Sequence, residues 1–133
     1  MREIVNLENA APFITKDGSE IRELLAHRNS SIRNQSLAEA RVPAGCTTLP
    51  HYHPLSEEIY FILEGSGRMW MREATSPWES ELVSGGDAIA IPPGTRHAIT
   101  NVGEGPLRLL CCCAPGYEHT DTVLIEEKLE SSK

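Results

Sequence analysis

From residue 36 onward, apolar and polar residues alternate over short runs that are separated by turn signals at near-regular spacing. Successive side chains of a strand point to opposite faces, so this alternation predicts β-strands. The runs that predict strands are SLAEARV, EEIYFIL, RMWMRE, AIAI, RHAIT and PLRLLCCC. Turn sequences such as EGSG, SGGD and PPGT lie between them, and in PPGT Gly94 suits the positive φ of a type II turn. The pattern therefore predicts an all-β protein.

Residues 1–35 do not fit this regular alternation. Within SEIRELLA, the residues Ile21, Leu24 and Leu25 have helical spacing, but the same stretch fits a strand at the edge of the domain. The chain of 133 residues has the length of one domain. We expect an N-terminal segment with edge strands over 1–35, a barrel over 36–125 and a frayed tail over 126–133.

The run EEIYFIL is apolar on both faces of the predicted strand. One face carries Glu58, Tyr60 and Ile62, and the other carries Ile59, Phe61 and Leu63. Because a barrel interior covers only one face, the other must meet a second sheet, the N-terminal segment or a partner subunit. This favours a homodimer.

Composition narrows the possible partners and location. The net charge is −7 and no basic stripe is visible, so we expect no nucleic acid as a partner. No apolar run has the length needed to span a bilayer, so no membrane partner is expected. The first residues, MREIVNLENA, carry acids and lack the apolar core of a secretory signal. We therefore expect a cytoplasmic protein.

The four cysteines do not show the CxxC spacing of a zinc site. Cys111, Cys112 and Cys113 continue a predicted strand, so alternation places Cys111 and Cys113 on one face and Cys112 on the other. We interpret them as small buried hydrophobes. The alternative places one of them near a metal or a substrate.

A pair of histidines marks the first candidate for chemistry. On an extended chain, His51 and His53 share one face, and two neutral imidazoles form half of a first-row metal site. Glu57 or Glu58 follows at a suitable distance. Pro54 interrupts the strand, however, so alternation does not choose between the two glutamates.

The third candidate is His97, which follows the PPG turn at the start of a predicted strand. Taken alone, a HxH pair is more often structural than metal-binding. His27 and His119 stand alone in polar stretches, and we predict that both are exposed to solvent.

Two complete motifs change this assessment. The first is a glycine, five residues, HxH, three or four residues, a glutamate, six residues and a glycine. It is matched by Gly45, His51, His53, Glu58 and Gly65. The second is a glycine, five residues, PxG, two residues, a histidine, three residues and an asparagine. It is matched by Gly86, Pro92, Gly94, His97 and Asn101. With both motifs in order, the chain resembles the cupin superfamily, and the spacing to Gly65 selects Glu58.

The resemblance implies a double-stranded β-helix, also called a jelly-roll barrel. It also implies that one divalent transition metal (Mn, Fe, Ni, Cu or Zn) is held by His51, His53, Glu58 and His97. Ligand type alone does not choose among these metals. A small-molecule ligand or substrate is the partner that such a site implies.

The sequence leaves the reaction open. The first possibility is a metal-dependent enzyme, either an isomerase or lyase on a sugar-like or keto-acid substrate, or a dioxygenase. The alternative is a small-molecule binding or sensing domain without turnover. Tyr60 is the candidate catalytic residue because alternation places it on the face of Glu58. The stretch APGYEHTDT is placed to cross a barrel mouth and bring Tyr117 or His119 near the site.

Overall fold

The structure is a computed structural model that describes residues 3–130, and it consists almost entirely of β-strands in that range. The strands are β1 (Phe13–Ile14), β2 (Glu20–Leu25), β3 (Ser36–Val42), β4 (His51–Tyr52), β5 (Glu57–Glu64), β6 (Ser66–Arg72), β7 (Glu79–Ser84), β8 (Ala88–Ile91), β9 (Arg96–Asn101), β10 (Leu107–Ala114) and β11 (Val123–Leu124). Two short 3₁₀ helices span Leu7–Asn9 and His119–Asp121. Among the described residues, no helix has the length and apolar character needed to cross a membrane.

The strands form two antiparallel sheets that face each other. The first sheet has the order β1-β2-β3-β10-β5-β8, and the second has the order β11-β4-β9-β6-β7. Apolar side chains from both sheets meet between them, with Ile62 and Leu109 from the first sheet packed with Met69 and Ile99 from the second. The predicted all-β jelly-roll barrel is therefore confirmed.

Strand β5 shows why alternation predicts the faces of the sheet correctly. Its burial alternates residue by residue, with Glu58, Tyr60 and Ile62 buried toward the interior. The other face is open to solvent, since Ile59 is 49% exposed and Phe61 is 39% exposed. Within the described residues, the second sheet therefore covers only the inner face of β5, and the apolar outer face has no cover.

The ambiguous segment SEIRELLA forms strand β2 instead of a helix. Its backbone pairs with β3, where Ile21 lies opposite Ala40 and Glu23 lies opposite Ala38. This pairing satisfies backbone groups at the edge of β3 that a helix would leave open, and it turns the side chain of Ile21 toward the interior. Tertiary pairing decides what periodicity left undecided.

The first and last strands of the described range pair with the rest of the barrel. Strands β1 and β2 extend the first sheet, and β11 pairs with β4 in the second. Residues 126–130 contain no strand or helix, although Glu127 accepts hydrogen bonds from Arg72 and from Nε1 of Trp78. The boundaries at 1–35, 36–125 and 126–133 stay a prediction, and residues 131–133 of the predicted tail lie outside the described residues.

Candidate metal centre

Neighbouring strands bring the residues of both motifs together at one end of the barrel. His51 in β4 and His97 in β9 are direct cross-strand partners, and their ring centroids lie 4.3 Å apart. His53 follows β4, and Glu58 extends from β5 in the facing sheet. All four side chains are buried, and each offers one ligand atom within 4.8 Å of the others.

The segment between His53 and Glu58 determines which glutamate enters the site. There the amides of Leu55 and Ser56 donate to the two carboxylate oxygens of Asp121, each at 3.0 Å. This contact draws the chain out of the extended conformation that alternation assumes. Consequently Glu58 is buried and Glu57 is exposed, in agreement with the motif spacing.

Backbone carbonyl groups fix the tautomer of each histidine. The Nδ1 atoms lie 2.9 Å from the Leu49 oxygen for His51, 3.0 Å from the Asp121 oxygen for His53, and 3.0 Å from the Thr95 oxygen for His97. Because a carbonyl oxygen only accepts, each Nδ1 carries the proton and donates it. In the neutral ring, Nε2 is then an acceptor with a lone pair, which is the form that binds a metal.

Burial and neighbouring charges set the protonation of the site. Burial, with His97 beside it, lowers the pKa of His51 to about 4, so this imidazole is neutral at pH 7. Burial alone would raise the pKa of Glu58, but the adjacent His53 and His97 lower it well below its ordinary value. Burial also acts to lower the pKa of His53, but the hydrogen bond and negative charge of Glu58 have the larger combined effect, so the pKa of His53 is raised.

The donor atoms fit a metal ion better than they fit one another. Oε1 of Glu58 lies 3.2 Å from Nε2 of His53 and 3.3 Å from Nε2 of His97. Despite this, Glu58 Oε1 and His97 Nε2 are buried without a hydrogen-bond partner. Buried polar atoms without a partner are costly, and a cation at their common centre would satisfy them. Three imidazoles and one carboxylate suit a divalent first-row transition metal.

A cavity lined by His51, His53 and Glu58 extends from this site into the barrel. Tyr60 lines it, as the alternation predicted, and its ring centroid lies 5.8 Å from that of His97. Burial raises the pKa of Tyr60 well above its ordinary value, so the phenol keeps its proton. The side chain can therefore donate a hydrogen bond, although nothing in its geometry alone assigns it a catalytic role.

The cysteines illustrate both interpretations drawn from the sequence. Cys111 and Cys113 share a face and line the cavity. Cys113 is the cross-strand partner of Glu58, and its Sγ donates to Oε2 of that residue at 3.3 Å. Burial raises the pKa of the Cys113 thiol, so the thiol is protonated. Cys113 is thus both a small buried residue and a direct neighbour of the site.

The stretch after β10 brings one of its two candidate residues, Tyr117, into the cavity lining. Tyr117 lines the cavity, and its ring centroid lies 6.0 Å from that of His53. His119 is exposed, and its Nδ1 lies 3.2 Å from the hydroxyl of Tyr117. Arg28 in the N-terminal segment donates to the Tyr117 carbonyl at 3.1 Å, which ties that segment to the stretch after β10. His27 is exposed, as predicted.

Asp17, which lines the same cavity, was not identified from the sequence. The dipeptide Asp17-Gly18 is a hairpin signal, and Gly18 has the positive φ of 87° that such a turn uses. That signal predicts a turn between β1 and β2. It contains no information about where the turn lies relative to the histidines.

Comparison with known proteins supports the assignment of the fold and the family. The sequence profile described as "Cupin domain" matches residues 38–113. An uncharacterized protein of Methanocaldococcus jannaschii is 52% identical over 115 residues, covering 86% of this chain and 88% of that protein. Acireductone dioxygenase of Saccharomyces cerevisiae is 42% identical over 62 residues, covering 45% of this chain and 34% of the enzyme.

A solved structure with the same barrel is that of Streptomyces Pac13 with uridine, and Pac13 is a nucleoside dehydratase. It superposes with a TM-score of 0.74 at 16% identity, over 94% of this chain and 91% of that chain. At that identity the likeness concerns the fold alone. The profile spans more than half of the sequence and the archaeal relative matches most of it, and on this basis the chain belongs to the cupin domain family.

Proposed function

We propose that the protein is a metal-dependent enzyme that acts on a small molecule in its barrel cavity. The observation that carries this proposal is the convergence of four buried ligand atoms within 4.8 Å of one another, next to that cavity. His51, His53, Glu58 and His97 would hold one divalent transition metal through three Nε2 atoms and one carboxylate oxygen. When bound, the metal supplies Lewis-acid polarisation of a substrate oxygen.

The surrounding residues keep the ligands in place. Backbone carbonyl groups hold the three imidazole rings by their Nδ1 protons, and Cys113 holds the outer oxygen of Glu58. Such supporting contacts orient metal ligands and raise their affinity. Tyr60, whose phenol keeps its proton, is proposed to donate a hydrogen bond to a substrate oxygen in the cavity.

Two reaction classes remain in competition, each supported by one observation. The phenol of Tyr60 keeps its proton in the cavity and can donate to a polarised substrate oxygen, which favours redox-neutral isomerase or lyase chemistry. The 42% identity to acireductone dioxygenase over 62 residues favours a dioxygenase. We place the redox-neutral class first, since Tyr60 belongs to this chain, whereas the matched segment covers 34% of the dioxygenase.

The test is a screen of hydroxy ketones, keto acids and sugars with the metal-loaded protein, following both product formation and oxygen uptake. Turnover without oxygen uptake is the expected result, and it should disappear when a chelator removes the metal. Turnover that consumes oxygen in step with product would assign the dioxygenase class instead. Saturable binding without any product would support the sensing alternative and contradict the proposal.

We also propose that the protein forms a homodimer through the outer face of β5. Ile59, Phe61 and Leu63 are 39 to 49% exposed there. Beside them, the fully buried Glu39 carboxylate accepts hydrogen bonds from Arg41 and Arg108, so this carboxylate is paired. A second copy offers the same apolar surface despite the net charge of −7.

Replacing Phe61 by lysine should convert the dimer to a monomer in sedimentation equilibrium, because the charge would be buried without a partner. The matched control is Leu82→Lys on β7, where the side chain is 63% exposed on the opposite sheet. A monomeric wild-type protein, or a Phe61→Lys variant that remains dimeric, would contradict this interface.

We also propose the cytoplasm as the location of the protein. All four cysteines are free thiols, as is usual for proteins in that reducing compartment.

A further inference from the structure

The turn between β1 and β2 brings one carboxylate to the metal centre from outside both motifs. Asp17 lies in this turn, and its backbone oxygen accepts a hydrogen bond from the Leu49 amide at 2.7 Å. Leu49 lies two residues before His51 and also contacts the His51 ring through its own carbonyl oxygen. The turn is therefore fixed to the chain that enters the site.

The two oxygens of the Asp17 carboxylate have different surroundings. Oδ1 accepts three hydrogen bonds, from the Thr15 hydroxyl at 2.7 Å, the Ser19 amide at 2.9 Å and the Ser19 hydroxyl at 2.6 Å. No donor in the described part of the chain is bonded to Oδ2, which lies 4.0 Å from Nε2 of His51. The side chain is 13% exposed, so Oδ2 is an anionic acceptor held beside the proposed ligand position.

The charge of the cavity wall restricts what can bind beside this oxygen. Its acidic residues are Asp17, Glu23 and Glu58, of which Glu23 is paired with Arg28. No lysine or arginine lies among the described residues that line the cavity. A substrate carboxylate or phosphate next to Asp17 would find no lysine or arginine among these residues and would face a like charge. The rest of the wall is largely apolar and includes Ile21, Ala40, Val42, Ile99 and Leu109.

We propose that Asp17 is a specificity-determining residue that accepts a hydrogen bond from a hydroxyl group of the substrate through Oδ2. The substrate class is a neutral molecule with an apolar body and a hydroxyl group next to its metal-binding oxygen. A carboxylate or phosphate at that position is disfavoured. This inference rests on the proposed function, because it places the substrate at the metal.

The test uses Co(II)-loaded protein and two probes that differ at one carbon. These probes are 1-phenyl-1,2-ethanediol and mandelate, its carboxylate counterpart, and their dissociation constants are read from the visible absorption of Co(II). The Asp17→Asn variant keeps an oxygen for the Thr15 and Ser19 donors and removes the negative charge. Relative to the diol, this variant should bind mandelate more tightly than the wild-type protein does, by at least about tenfold. The reason is that a carboxylate within about 4 Å of Asp17 is no longer repelled. Asp87→Asn is the matched control, because Asp87 is an exposed turn aspartate that accepts from the Ser84 amide and does not line the cavity.

Metal content separates the failure of this inference from the failure of the proposed function. With stoichiometric Co(II) in the wild-type protein and in the Asp17→Asn variant, an unchanged ratio overturns the role of Asp17 alone. Loss of Co(II) from Asp17→Asn overturns it too, because the residue would then position His51 instead of contacting substrate. A wild-type protein that does not bind Co(II) stoichiometrically overturns the proposed function together with this inference.

Discussion

Replacing His97 by alanine should reduce the affinity of the protein for a divalent transition metal by at least about 100-fold. Replacing a residue that only orients a metal ligand already costs about 10- to 100-fold, and His97 is proposed to be a ligand itself. Its side chain is fully buried, and its Nε2 atom has no hydrogen-bond partner. The measurement is elemental analysis of protein purified from metal-replete cultures, followed by titration of the metal-free protein.

A second readout guards against simple unfolding of the variant. Added metal should raise the unfolding temperature of the wild-type protein, because a ligand that binds only the native state stabilises it. The unfolding temperature of a folded His97→Ala variant should not change when metal is added. His51→Ala should behave in the same way, whereas His27→Ala should match wild type, since His27 lies on the surface beside Glu118. Stoichiometric, wild-type metal binding by His97→Ala would refute the four-residue site.

Replacing Gly65 by alanine should lower the free energy of unfolding by about 2 to 5 kcal/mol, the sum of conformational strain and a steric clash. Gly65 has a φ of 94°, where residues with a side chain are strained by about 1 to 2 kcal/mol. A Cβ atom at this position would also lie 2.6 Å from the backbone oxygen of Pro106. A backbone oxygen cannot rotate away as a flexible side chain can, so the turn that leads from β5 in one sheet to β6 in the other must distort. Urea unfolding measures the difference.

The glycine of the second motif provides a matched control for this substitution. Gly86 has a φ of 96°, but a Cβ atom added to it would have no neighbour within 4 Å. Gly86→Ala should therefore show only the conformational strain of about 1 to 2 kcal/mol. If the two variants lost the same stability, the contact with Pro106 would have no energetic effect. This comparison isolates the steric contribution because the backbone conformations are nearly the same.

Much of the fold was predictable because each strand carries its own alternation. The two faces of β5 follow directly from the order of apolar residues, and the run Ser36–Val42 forms β3 as predicted. The motif spacings likewise brought His51, His53, Glu58 and His97 into one proposed site. Spacing succeeds here because the residues of each motif lie on adjacent short elements whose turns are fixed by glycine and proline.

Other features depend on contacts between residues far apart in the chain. The apolar spacing around Ile21 is compatible with a helix, and the segment is a strand because it pairs with β3. Alternation does not choose between Glu57 and Glu58, and the contact of Asp121 with the chain after Pro54 fixes the segment in which Glu58 is the buried glutamate.

The sequence by itself determined the all-β pattern and the turns, since these depend on residues close together in the chain, and its two motifs indicated the four candidate ligands through the resemblance to cupins. Only the tertiary structure decided that Asp17 stands beside His51, that Cys113 holds Glu58, and that the cavity wall carries no cation among its described residues. These features arise where separate elements meet, and local preferences do not specify which elements meet. The proposed choice of substrate therefore rests on the assembled barrel.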